Sequence, residues 1–264
     1  MASVSQMRQI LRGITLVVAL AGAAVAPPAT AAPDLTDLWW NPAEPGWGVN
    51  FVQADTFIFA TFFVYSADTK PTWYSGQMTR DSNGIWKGPL YLSSGSYFGA
   101  TYNATQSDIA QVGTVTFAPV TESAGTLSYN VDTVVVSKPI QRQTLQSIDV
   151  SGTYMGALIT DVYNCSDGSA VKTSRRFVDV TASTVSGGSD RIDFSFATGG
   201  TCSFTGYATQ AGRLFRMDNA TYTCGAGLAT VYELKSTSLG FEGRWTAPMA
   251  GGCTEYGVFS TVQK

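Results

Sequence analysis

The chain has 264 residues, 16 Lys+Arg against 19 Asp+Glu, and no histidine. Without an imidazole, Ser-His-Asp and Cys-His nucleophiles, His-ligated zinc, copper or non-haem iron, and the HExxH protease helix are all excluded. With 44% apolar and 13% charged residues the chain is expected to fold, and its acidic balance lacks the footprint of a nucleic-acid binder.

Arg8 and Arg12 precede an apolar run from Ile14 to Ala26, and Ala29-Thr30-Ala31 supplies a small-x-small cleavage pattern. Residues 1–31 therefore read as a secretory signal peptide cleaved before Ala32, with an uncleaved anchor as the alternative. The mature chain is expected to be secreted or periplasmic. It has no later apolar run of about 18 residues, so no membrane span is expected. Removing Arg8 and Arg12 leaves 14 basic against 19 acidic residues, a net charge of −5.

Beyond the leader, β-branched and aromatic residues alternate with small polar ones between Gly, Asn, Asp and Ser clusters, the pattern of short antiparallel strands. In the first half the runs are 47–54, 57–65, 72–78, 85–92, 112–120, 125–130 and 133–141. Asp68-Thr69-Lys70-Pro71 and Asp81-Ser82-Asn83-Gly84 mark turns between them. Residues 93–111, rich in Gly, Tyr and Asn, read as a functional loop or lid, or as a capping loop. The polar stretch 141–149 reads as a seam. Beyond it the runs are 152–160, 175–182, 191–196, 202–209, 213–222, 229–236, 240–245 and 254–262. The expected fold is all-β, two tandem small antiparallel up-and-down barrels over about 34–145 and 150–264, with β-sandwiches as the alternative.

All four cysteines, Cys165, Cys202, Cys224 and Cys253, lie in the second half. An even count in an exported chain points to two disulfides, and no CxxC spacing suggests a metal or redox site. Counting strand directions around a meander puts all four at one rim. Cys202 and Cys224 flank a hairpin, which favours Cys202–Cys224 with Cys165–Cys253. Cys165–Cys202 with Cys224–Cys253 fits nearly as well.

The densest candidate site is Leu38-Trp39-Trp40-Asn41-Pro42-Ala43-Glu44-Pro45-Gly46-Trp47-Gly48, followed by Phe59-Ala60-Thr61-Phe62-Phe63-Val64-Tyr65, Pro71-Thr72-Trp73-Tyr74 and Lys138-Pro139-Ile140-Gln141-Arg142-Gln143. Together these elements, over about residues 35–145, resemble a β module found singly and in tandem in exported bacterial proteins. The resemblance implies export and a β fold, and brings no activity, cofactor or site residue. Two readings of the aromatic residues stay open. Trp39, Trp40, Trp47, Trp73 and Tyr74 can form a stacking platform, with Glu44 accepting from ligand hydroxyls. Alternatively the tryptophans plug a barrel end. Strand alternation places one of Trp73 and Tyr74 in the core and the other outside.

Catalytic candidates are sparse. Glu233, Glu242 and Glu255 fall on the last three strands and offer a carboxylate pair for glycoside hydrolysis, or cross-strand charge pairs with Arg213, Arg216 and Arg244. Ser169 and Lys172 match S-x-x-K, but in a loop and without companion motifs. Asp81–Gly84 and Asn164–Gly168 supply oxygen ligands without a full calcium set. No catalytic residue, metal or cofactor is assigned. The expected function is non-enzymatic binding of a glycan or a small apolar molecule. An envelope interaction or structural protein, or an inhibitor, is the alternative, and a carboxylate-dependent hydrolase the third reading. With no histidine to titrate, binding is expected to vary little between about pH 6 and 8.

Overall fold

A computed structural model describes residues 33–185, 191–197 and 200–264. The proposed leader, residues 1–31, lies outside the described residues. The first eight strands are β1 (Asp37–Trp40), β2 (Gly48–Ala54), β3 (Phe57–Tyr65), β4 (Pro71–Arg80), β5 (Trp86–Ser94), β6 (Asp108–Pro119), β7 (Ala124–Val131) and β8 (Val134–Arg142). They form a closed barrel in chain order, every neighbour antiparallel. Closure is made by β1 on β8, with Trp39 opposite Arg142 and Trp40 opposite Gln141.

The reason these segments are strands is visible in β3. Ile58, Ala60 and Phe62 are buried, while the intervening Phe57, Phe59 and Phe63 face out, the period of two that a pleated strand imposes. The inward set from all eight strands fills the barrel. Trp39, Phe51 and Phe117 meet with ring centroids 5.0–5.6 Å apart, and Trp86, Met78, Leu127 and Ile140 complete the packing. An eight-stranded barrel is just wide enough to be filled by side chains in this way.

The second sheet contains β9 (Gly152–Tyr163), β10 (Lys172–Val185), β11 (Arg191–Ala197), β12 (Thr201–Tyr207), β13 (Thr209–Ala211), β14 (Leu214–Tyr222), β15 (Leu228–Ser236), β16 (Phe241–Pro248) and β17 (Thr254–Gln263). Its order is β12-β11-β10-β9-β17-β16-β15-β14-β13, and β12 also pairs with β14. The first and last long strands, β9 and β17, are neighbours from Tyr154↔Gln263 to Tyr163↔Thr254. The sheet is thus a meander curled until its ends meet. Its interior holds Phe196, Phe204, Tyr222, Trp245 and Phe259, with Phe204 and Tyr222 stacked at 4.2 Å.

Cysteine pairing follows the strand order. The disulfides are Cys165–Cys253 and Cys202–Cys224, and no described cysteine is free. Phe204↔Tyr222 sets the β12–β14 register, which carries Cys202 opposite Cys224. Cys165 follows β9 and Cys253 precedes β17, so their bond staples the seam where the meander returns on itself. All four sulfurs sit at the rim formed by the end of β9 and the start of β17.

Two expected boundaries shift. β6 begins at Asp108, so the long connection shrinks to residues 95–107, with a 3-10 turn at Ala104–Gln106. Arg142 ends β8 instead of opening a loose linker, and the Gln143 amide donates to the Leu38 carbonyl at 2.8 Å. Among the described residues no helix is long and apolar enough to cross a membrane.

Candidate functional site

The Trp-rich segment is divided by the geometry of β1 and the loop after it. Trp39 points inward and is fully buried. Its indole N–H donates to the Leu35 carbonyl at 2.9 Å, and the Arg142 guanidinium lies 5.0 Å from its ring centroid. Trp39 is therefore a core residue, enclosed away from any external ligand. Its neighbour Trp40 is half-buried.

The loop 41–47 folds back on itself. Asn41 Oδ1 accepts from the Ala43 amide at 3.0 Å, and the Asn41 carbonyl from the Glu44 amide at 3.0 Å. This Asx turn, with Pro42 and Pro45 as rigid flanks, presents Glu44 and Trp47 together. The Trp47 indole donates to Glu44 Oε2 at 3.0 Å. Lys138, on β8, forms an ion pair with the same oxygen and sits 5.2 Å from the Trp47 ring centroid. Lys138 and Trp47 hold the Glu44 carboxyl below the usual range. Trp47 and Tyr74 pack against the barrel core from its open end. Glu44, Trp47 and Tyr74 thus belong to a cross-tied end of the barrel.

Trp73 takes the opposite face of β4 from Tyr74 and is 49% exposed. It stands directly opposite Phe63 of β3. Phe57, Phe59 and Tyr65 share the outer face of β3 and are also exposed. Polar groups flank this aromatic row: Gln77 is paired with Phe59, Thr79 with Phe57, and Asn50 with Thr61. In the loop 95–107, Tyr97, Phe98 and Tyr102 are exposed as well.

A second cluster joins the two halves of the chain. Arg142 Nη1 donates to Asp37 Oδ2 at 2.9 Å and to the Thr36 carbonyl at 3.0 Å, and Nε donates to the Glu122 carbonyl at 2.7 Å. Asp37 Oδ2 also accepts from the Arg213 amide at 3.1 Å, and Asp34 pairs with the Arg213 side chain. Glu122 takes Arg216 Nη1 at 3.0 Å. At Gly212, φ is +61° and a Cβ would collide with the Asp37 carboxylate, so this turn needs glycine on both counts. Arg213 and Arg216, candidates for cross-strand pairs with the strand glutamates, pair elsewhere. Arg213, in the turn before β14, pairs with Asp34, while Arg216 on β14 is shared between Glu122 of the first barrel and Asp218 of its own strand at 3.0 Å.

The strand glutamates pair otherwise. Glu233 meets Arg244 at 3.0 Å and Glu242 meets Lys235 at 2.6 Å. A bulge between Tyr232 and Lys235 gives Glu233 a φ of +49°. Glu233, Glu242 and Asp34 line one cleft of about 220 Å³, whereas Glu255 faces the barrel interior. Burial raises the Glu233 pKa, and Arg244 offsets this only in part. Burial acts the same way on Asp34, but the Thr36 amide and Arg213 outweigh it and leave a net depression. Carboxyl NMR on acidification should therefore show Glu233 protonating at higher pH than Asp34. The linkage signs are opposite. Glu233 ionisation weakens the fold as pH rises through its raised value. Asp34 strengthens the fold above the ordinary aspartate range, and this is lost as pH falls toward its depressed value. The reverse titration order would refute this account of the cleft.

Ser169 lies in the connection between β9 and β10 and Lys172 opens β10, so no helix aligns them. Asp81 Oδ1 is occupied by the Asn83 and Ile85 amides at 2.9 and 3.0 Å, as a turn requires. Among the described residues no group of three His, Cys, Asp or Glu is placed to hold a metal. Comparison of the chain with protein-family models, with curated proteins and with solved structures finds no match.

Proposed function

We propose that this is an exported, non-enzymatic binding protein whose first barrel holds a glycan chain on the outer face of β3 and β4. The observation that carries the reading is the row Phe57, Phe59, Phe63, Tyr65 and Trp73, each 38–58% exposed on one face of adjacent strands. Large exposed aromatics gathered on one face mark interaction sites, whereas isolated ones do not. Alternate residues on a strand are about 6.8 Å apart, a rise of about 3.4 Å per residue. Successive rings can therefore support successive parts of an extended chain of sugar rings. Aromatic faces supply apolar area at low entropic cost. Gln77, Thr79 and Asn50 beside them supply the donors and acceptors that hydroxyls need. Both disulfides agree with an oxidising compartment, which supports export.

The test is retention of the purified protein on insoluble cellulose, chitin and peptidoglycan. At least one should retain it. Trp73→Ala with Phe63→Ala should abolish retention while the thermal midpoint stays close to that of the parent, since both side chains face solvent. Retention on none of the three, or retention unchanged in the double variant, would refute the proposal. A protein partner in the envelope is the second reading, favoured by Val52, which is 50% exposed and extends the apolar face onto β2 opposite Phe59.

A further inference from the structure

The disulfide rim of the second barrel opens on a cavity of about 350 Å³, walled by Leu158, Phe196, Tyr222 and Trp245, with Glu255 and Arg176 as its charged groups. Glu255 projects inward from β17 and is only 7% exposed. Its Oε1 accepts from the Tyr222 hydroxyl at 2.8 Å and from the Trp245 indole at 2.9 Å. These donors are neutral, and both bonds fall on one oxygen. Among the described residues no cation is ion-paired with Glu255, in contrast to Glu44, Glu122, Glu233 and Glu242.

The floor is rigid. Phe196 stacks on Trp245 with centroids 5.5 Å apart. A Cβ at Gly257 would collide with the Trp245 indole, so the backbone of β17 presses directly on that ring. Tyr222 in turn stacks on Phe204 with centroids 4.2 Å apart, so packing holds both donors to Glu255 in place. Preorganisation of this kind reduces the ordering cost of binding.

For a carboxylate withdrawn from water and bonded only to neutral donors, a cation is the strongest electrostatic complement, because attraction between opposite charges grows as the dielectric falls. Aromatic walls add attraction for an ammonium group and contact area for an apolar body. We propose that the mouth of the second barrel is a binding site for a small organic amine, its ammonium donating to Glu255 and its apolar body lying against Leu158 and Phe196. Arg176, exposed on β10 where Leu158 is its partner in register, carries the same sign as the ligand and weakens its capture.

The oxidised protein is titrated calorimetrically with 2-phenylethylamine, its neutral analogue 2-phenylethanol and the anion phenylacetate. The Trp245 indole N–H resonance is followed in parallel. The amine should shift that resonance and bind at least about tenfold more tightly than the alcohol, the least expected of a charge-assisted hydrogen bond. Phenylacetate should bind weakest. Glu255→Gln, which keeps the shape and the Oε1 acceptor, should abolish the preference for amine over alcohol. Arg176→Gln, a substitution at an exposed position, should tighten the amine severalfold. An alcohol bound as tightly as the amine, preferential binding of the acid, no movement of the Trp245 resonance, or weaker amine binding in Arg176→Gln would each overturn the proposal. If Glu255→Gln fails to fold, Arg176→Gln decides the matter alone.

Discussion

Arg142→Met lowers the stability of the first barrel by about 3–5 kcal/mol, the range for removing one partner of a buried charge pair. Arg142 is 2% exposed and its fork fills five roles at once. It binds Asp37, the carbonyls of Thr36, Glu122 and Asp34, and the face of Trp39. Methionine matches the apolar stem but leaves those acceptors without donors, and each buried unsatisfied acceptor costs about 1–3 kcal/mol. Lysine does not rescue the site, because a single ammonium cannot reproduce a planar fork. The loss also extends beyond the first barrel, since Asp37 Oδ2 receives the Arg213 amide as well. Arg142→Met combined with Asp37→Asn should therefore fall short of the sum of the single losses by about 0.5–3 kcal/mol. Denaturant titration of the three variants checks this. Additive losses below about 1 kcal/mol in total would show that the Arg142–Asp37 pair contributes no more than an exposed ion pair.

The role of Arg142 was only half legible in the sequence. The polar stretch from Gln141 to Asp149 marks a seam after Ile140. Nothing local says that the arginine turns inward to meet residues more than 100 positions earlier. Closure of β8 on β1 creates that contact, and closure is a long-range event. The start of β6 was hidden for another reason. Asp108 to Gln111 are all exposed, so no buried face produces alternation, and only pairing with the end of β5 makes them a strand. Strands with one buried face, such as β7 and β8, were readable nearly to the residue.

β3 carried a signal of a different kind. Phe57 to Tyr65 contains Thr61 as its one polar side chain besides the Tyr65 hydroxyl. A run that is apolar on both faces is normal for a strand covered on both sides. Here one face fills the barrel and the other is exposed. The excess of apolar residues over what the core requires was present in the sequence, and it marks the outer face as the one to test. The Trp-rich segment is the densest in aromatics, yet alternation sends Trp39 inward and the folded-back loop 41–47 lays Trp47 on the barrel end. The mouth of the second barrel was legible least of all. Tyr222, Trp245 and Glu255 are 10 to 33 residues apart and meet only across β14, β16 and β17. Glu255 stood out in the sequence only as one of three glutamates on neighbouring strands, and strand phase separates it from the other two.

Loss of Cys165–Cys253 destabilises the second barrel more than loss of Cys202–Cys224. The first bond spans 88 residues and the second 22. In the chain-entropy treatment these separations correspond to about 4.6 and about 3.4 kcal/mol. The folded state gives little reason for compensation. β9 and β17 remain paired along ten positions without the staple, so the native seam does not have to open when the sulfur bond is removed. The cost then arises mainly in the unfolded chain, which expands when its longest covalent loop is released. Cys165→Ser with Cys253→Ser should accordingly lower the urea midpoint and also raise the m-value, because a more open denatured state exposes more surface. Cys202→Ser with Cys224→Ser should show a smaller shift in both quantities. If the shorter loop proves the costlier one, or if the midpoint falls with the m-value unchanged, the bond at the seam acts through native contacts, and the β9–β17 pairing is weaker than its register implies.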